Sequence, residues 1–328
     1  IYLTAAEELG QHHAVFGLLE DHLGCHFYSI RTSYHGHGVS RYEGPGFETV
    51  PKQASLTVGN IDDLQEPAIP NRGLIFKMGQ FPWILKNRAV SPRGGGTSSA
   101  MGGGHTMYSW IPPKDKKRGK RVIYEGVFDE HPEFFPMTKE GERKPLMWNM
   151  GVCGTAEDLP EYLAQRIFDK IGDAPREVSR LYKIGQVDGF AGCHCEDCRE
   201  LVHEKKSEIA PLVLMFNRTL DIVTEKYPNV EILTFAYFNT LEAPENMAIH
   251  DNLWLNVVSS ARSKNSAGDQ MGPILDNPAN DDYARALKEW PRIAPNRVTV
   301  WHWDTYRAEW PSMFYVDDNV RYMAECGV

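Results

Sequence analysis

The sequence predicts an α/β fold: a (β/α)8 barrel preceded by a small α+β domain. Three observations carry this. From Glu66 onward, short apolar runs alternate with helical stretches, the pattern of parallel βαβ units. About seven such units can be traced, which is wide for a doubly wound sheet and suits a barrel. The 328 residues, 42% hydrophobic and 24% charged, are enough for one large barrel with an appendage.

Residues 1–65 read as the small domain. Ala5 to Leu23 has apolar residues near helical spacing, Gly24 ends it, and Cys25 to Tyr28 reads as a strand. A loop rich in Gly, His and Tyr leads to a second strand, Ala54 to Val58. Residues 66–328 read as the barrel. Its strands are expected at Arg72–Phe76, Ser98–Met101, Leu146–Met150, Tyr182–Val187, Val230–Phe238, Leu253–Val258 and Arg297–Trp303. Helices are expected at Leu159–Ile171, around Val213 to Val223, at Asp281–Trp290 and at Asp317–Glu325. The chain opens Ile1-Tyr2-Leu3 and stops at Val328, where an eighth strand would begin; both ends are read as cuts, so the lack of a signal peptide says nothing about compartment.

A net charge of −9, from 35 Lys+Arg against 44 Asp+Glu, argues against a phosphate-backbone binder. The basic run Lys114 to Arg121 lies near prolines and reads as a solvated loop. No apolar run approaches the ~18 residues of a membrane span. Walker loops, dinucleotide-binding turns, GxSxG elbows and HExxH helices are all missing, so phosphate cradling and Ser/His/Asp hydrolysis have no support.

Barrel active sites gather at the C-terminal ends of the strands. There the sequence mixes aromatics, carboxylates and amides, the combination that stacks on sugar rings and bonds their hydroxyls. Asp188 ends an apolar strand before Gly189 and is the candidate acid; Asp304 holds the analogous place after the seventh strand. The bland alternative for either is a helix cap or a loop ion pair. His105, Tyr237, Asn239, Trp301 and Trp303 are candidate sugar contacts, and core packing is the competing role for the aromatics. The most unusual local feature is Cys193-His194-Cys195-Glu196-Asp197-Cys198. Three thiols within six residues suit a metal, with His194, His203 or Cys153 completing the set. The C-x-C-x-x-C spacing is not a standard zinc ribbon. A disulfide, within the loop or to Cys153, and free structural thiols stay open beside the metal.

Ordered segments give a resemblance to a known family. Glu130-His131-Pro132-Glu133-Phe134-Phe135 with Gly141-Glu142-Arg143, and Gln186-Val187-Asp188 followed by Gly192 and the cysteine run, are similar to segments of the glycoside-hydrolase-like barrel family called domain of unknown function 4838. Phe216-Asn217, Tyr227-Pro228-Asn229, Ala236-Tyr237 and Trp290-Pro291-Arg292 continue in the same order, and Leu18 to Tyr28 resembles the small domain before such barrels. The resemblance implies an architecture related to α-glucuronidases and β-hexosaminidases, Arg72 as a sugar-hydroxyl contact, and a secreted or periplasmic location. Two departures stand out: Val258-Ser259-Ser260-Ala261 replaces an acidic segment, and Trp301-His302-Trp303 precedes Asp304.

The expected function is hydrolysis of glycosidic bonds in plant or algal polysaccharide, by carboxylate acid/base chemistry and without a required cofactor. The partner would be carbohydrate, with no nucleic acid and no membrane span. The rival readings are a barrel that binds glycans without cleaving them, and a protein whose cysteine loop holds a structural Zn ion.

Overall fold

The computed structural model describes residues 2–6, 8–29, 32–35, 38–42, 47–67, 69, 85–88, 105–119, 121–144, 151–187, 192–259, 273–301 and 315–328. The chain divides into two compact units, Ile1–Gly102 and Gly103–Val328.

In the first unit, helix α1 (Glu8–Gly17) runs into a wider π turn, Leu18–His22, inside the stretch expected to be helical. Strand β1 (His26–Ser29) pairs antiparallel with β4 (Phe47–Thr49), and β2 (Thr32–His35) pairs with β3 (Gly38–Tyr42). The strand expected at 54–58 does not form. Most of that segment faces solvent, and β1 pairs instead with β4, so 54–58 buries no apolar face. Polar contacts tie the unit together: Arg88 donates to Glu20, Asp21 and Gln65, while Phe16 and Phe27 meet edge to face at 5.6 Å.

The second unit is mixed α/β. Four parallel strands form one sheet in the order β10-β9-β8-β7: β7 (Arg180–Lys183), β8 (Val230–Ala236), β9 (Leu253–Val258) and β10 (Val298–Trp301). Sequential strands are neighbours; α-helices lie between β7 and β8 and between β9 and β10, whereas β8 and β9 are joined by the short turn Phe238–Thr240 and irregular chain. Helix α2 (Met107–Trp110) precedes the hairpin β5 (Lys116–Arg118) and β6 (Arg121–Tyr124). The basic run is therefore an antiparallel ribbon rather than a plain loop. Gly119, at φ +64, supplies the turn that pairs Arg118 with Arg121. The longer helices are α3 (Leu159–Ile171), α4 (Glu196–Lys205), α5 (Ala210–Lys226), α6 (Asp281–Ile293) and α7 (Val316–Glu325). Pro160 and Pro211 stand in the first turns of α3 and α5, where a missing N–H costs nothing.

The sheet has two distinct faces. Ile232, Ala236, Leu253, Leu255 and Val257 are fully buried on the face that α5 and α6 cover. The other face is built in rows set by the register. Lys183, Leu233 and Trp254 lie side by side, and Phe235, Asn256 and Thr299 form the next row. Val258 and Trp301 follow at the C-terminal end. His105 extends the middle row through a parallel bridge to Gly185. Four strands of the expected eight are described; those expected at Arg72–Phe76, Ser98–Met101 and Leu146–Met150 lie outside the described residues.

Candidate metal centre

Three short segments converge beyond the C-terminal end of the sheet. Cys153 stands in the turn before α3, and Cys193 and Cys195 lie in the loop after β7. Cys198 sits in the first turn of α4, for which Cys195 is the N-cap. Each segment is pinned by the backbone. Cys153 N–H donates to Phe134 O at 2.9 Å, and His194 N–H to Met137 O at 2.9 Å. Gly192 has φ +74, a conformation glycine adopts without strain, and this turns the chain into the cysteine run. The result is that residues far apart in sequence put four sulfurs in one place.

All four Sγ atoms lie within 4.8 Å of one another, and all four residues are buried. Cys193 and Cys195 are 3.4 Å apart, Cys153 and Cys195 3.6 Å, and Cys153 and Cys198 3.9 Å. These are not disulfide distances, which are about 2.05 Å, and the six cysteines are free. They match the edge of a tetrahedron: four ligands about 2.3 Å from a central ion stand about 3.8 Å apart. Cys153 is the fourth member, not His194 or His203.

The surroundings suit an anionic centre. Met137 N–H donates to Cys193 Sγ at 3.2 Å, and Thr155 Oγ1 lies 3.1 Å from Cys198 Sγ. Arg143 lies against Cys153 and is anchored by donating to the carbonyls of Glu133 and Phe135. Arg199, near Cys198, is held by a two-point pair with Glu208 at 2.9 and 2.7 Å. Hydrogen bonds from Cys193 and Cys198 hold the Cys153 thiol far below the ordinary thiol value. Cys193 is pushed up to about 11, first by its hydrogen bond to Cys153 and further by burial. Cys198 is pushed up by its bonds to Cys153 and Cys193 and by burial. One thiolate thus makes the next harder to form, and a cation at the centre removes that conflict. The four cysteines can hold one metal ion.

A second group of predicted residues meets on the sheet face away from α5 and α6. His105 lies 6.0 Å from Phe235 and 6.3 Å from Tyr237, ring to ring, and Trp301 lies 6.0 Å from Phe235. His105 Nδ1 sits 2.7 Å from Gln186 O, which fixes the ring's direction. Asn239 belongs to the half-buried turn Phe238–Thr240 just beyond β8 and is not part of this ring cluster. Phe238 there takes φ +52, an uncommon value for a bulky residue, held by Tyr237 packing at 4.6 Å. Lys183, one row nearer the N-terminal end, is half-buried, and desolvation alone pushes it down to about 8. Arg72, Asp188, Trp303 and Asp304 lie outside the described residues.

Arg143, Thr155 and Met137 were not foreseen as part of the centre. Arg143 was visible only as the end of the Gly141-Glu142-Arg143 segment, and Met137 contributes its backbone, which no side-chain pattern announces.

No helix among the described residues is long and apolar enough to cross a membrane. Searches of the curated proteins and of the solved structures each returned no match to the chain. Residues 42–328 match the sequence profile of one family, so most of both units is accounted for, and the chain belongs to the family described as "Domain of unknown function (DUF4838)".

Proposed function

We propose that Cys153, Cys193, Cys195 and Cys198 bind one Zn ion as a closed structural site. The observation that carries this is the set of four buried sulfurs at tetrahedral spacing. Four protein ligands leave no position for water or substrate, which is the mark of a structural rather than a catalytic zinc. The ion would fasten the 151–155 turn, the loop after β7 and the start of α4 to one another. The donor set, thiolate only, suits zinc over magnesium or calcium. The test is elemental analysis of protein purified under reducing conditions without added metal. One zinc per chain is expected, falling to near zero in Cys195→Ser. Metal-free protein whose four thiols all react in the native state would overturn the site.

A second reading is favoured by the aromatic and polar rows on the sheet. In it the parallel strands belong to a (β/α)8 barrel that binds oligosaccharide at its C-terminal end and hydrolyses the glycosidic bond. Tyr237, Trp301 and His105 supply apolar and polar contacts together, the combination sugars need. Asp188, five residues beyond β7 in the sequence, is the proposed acid, with Asp304 as a candidate partner. Loss of a general acid costs about 10²–10⁴ in rate. Asp188→Asn is therefore expected to lower release of reducing ends by at least about a hundredfold. Turnover that survives the substitution undiminished removes Asp188 from the mechanism.

A further inference from the structure

The middle row of the sheet contains an anomaly. Asn256 and Thr299 are register partners on adjacent parallel strands, and they face the same side as Phe235. Asn256 is 1% exposed and Thr299 8% exposed, in strands otherwise made almost wholly of apolar residues. Yet Asn256 Oδ1 and Thr299 Oγ1 both lack a hydrogen-bond partner among the described residues. A buried acceptor without a partner is costly, and most native structures avoid it. Two such groups side by side in one row are better explained by something that comes to meet them.

The neighbours say what that is. The next row toward the strand ends is apolar, Val258 and Trp301, with Tyr237 packed on Val258 in the same cluster. Trp301 is only half-buried there. The row below holds Trp254, over which Arg297 lies at 4.9 Å, and Arg297 is already paired with Glu231 at 2.8 Å. The pair itself is uncharged, Arg297 is engaged, and Lys183 stands on β7, two strands from Asn256 and one row below, which favours an uncharged ligand at the pair over a carboxylate. Uncharged polar groups beneath an aromatic wall fit a hydroxyl on an apolar ring.

We infer that Asn256 and Thr299 form the floor of a subsite for a neutral hexose unit, taking one of its hydroxyl groups between them, with Trp301 and Tyr237 as the apolar wall. Oδ1 of Asn256 accepts the sugar O–H, and the Thr299 hydroxyl donates to the same sugar oxygen. This rests on the carbohydrate reading of the sheet's C-terminal end.

Arrays of neutral hexose oligosaccharides and of hexuronate oligosaccharides, applied to the metal-loaded chain, identify a probe, and calorimetric titration measures its affinity. Thr299→Val keeps the shape and removes the orphaned hydroxyl. It is expected to weaken binding of the neutral probe about tenfold, the worth of one such bond. It should at the same time raise the melting midpoint by about 2 °C, because an unsatisfied buried group is gone. Asn256→Leu is expected to change both in the same directions. Affinity unchanged in both variants while the wild type binds overturns the subsite and leaves only a buried water to explain the pair. Binding of hexuronates alone overturns the neutral-sugar assignment. A wild-type chain that binds neither array defeats the carbohydrate reading itself, and the subsite with it.

Discussion

Gly154 lies beside Cys153, one of the four proposed ligands, where no side chain fits. A carbon added there would stand 2.2 Å from Pro211 O and 2.3 Å from Pro211 C, both backbone atoms at the start of α5. Backbone does not rotate away, so the turn itself would have to move. Alanine at this position is expected to destabilise the chain by about 3 kcal/mol, at the high end of overpacking costs. Because the displaced turn carries Cys153 Sγ away from its three partners, zinc content should fall with stability. Denaturant unfolding alongside metal analysis checks this: a Gly154→Ala chain that keeps full zinc and full stability would show that the turn is not built around this contact. The same scale explains Arg143, which reaches one thiol while donating to two carbonyls of the 133–135 segment. It joins a charge requirement to a loop anchor.

Among the elements, legibility followed the reach of the signal. Helix α3 and strand β9 coincide with the expected Leu159–Ile171 and Leu253–Val258, because an amphipathic stripe and a buried apolar run are written in consecutive residues. The hairpin β5–β6 was missed since its pairing depends on one turn at Gly119, while its charge suggested only solvation. The strand expected at 54–58 shows the reverse error: composition suited a strand, but strands exist by pairing, and β4 filled the place. The four-cysteine cluster was legible in part. Three cysteines advertise themselves by proximity in sequence, whereas Cys153, 40 or more residues earlier, was one of three candidates for the fourth place and is singled out by the packing of its turn against Pro211 and Phe134. Asn256 and Thr299 gave no signal, because a single polar residue inside an apolar strand looks like an ordinary exception until its lack of a partner is seen.

At the scale of the whole molecule, the two units are held by different forces. Among the described residues, Ile1–Gly102 is tied by a polar network around Arg88 and a modest aromatic contact, with exposed ion pairs that each contribute little. Gly103–Val328 has a parallel sheet, a packed helical layer and the proposed zinc staple. A ligand that binds only the folded state stabilises it by mass action, about 4 kcal/mol when present at a thousand times its dissociation constant. Stripping zinc with a chelator under reducing conditions should therefore act on one unit alone. In calorimetry, the transition of the second unit is expected to fall by on the order of 10 °C, with the first unit's transition unmoved. Hydrogen exchange assigns the change. Protection should drop around 133–137, 151–155 and 192–205, the segments that meet at the four sulfurs, and stay constant across 8–29. Uniform loss of protection across both units would mean that they unfold as one and that the staple serves the entire chain. No change anywhere would mean that the sulfurs hold nothing, because four buried thiols without an ion offer a chelator no handle.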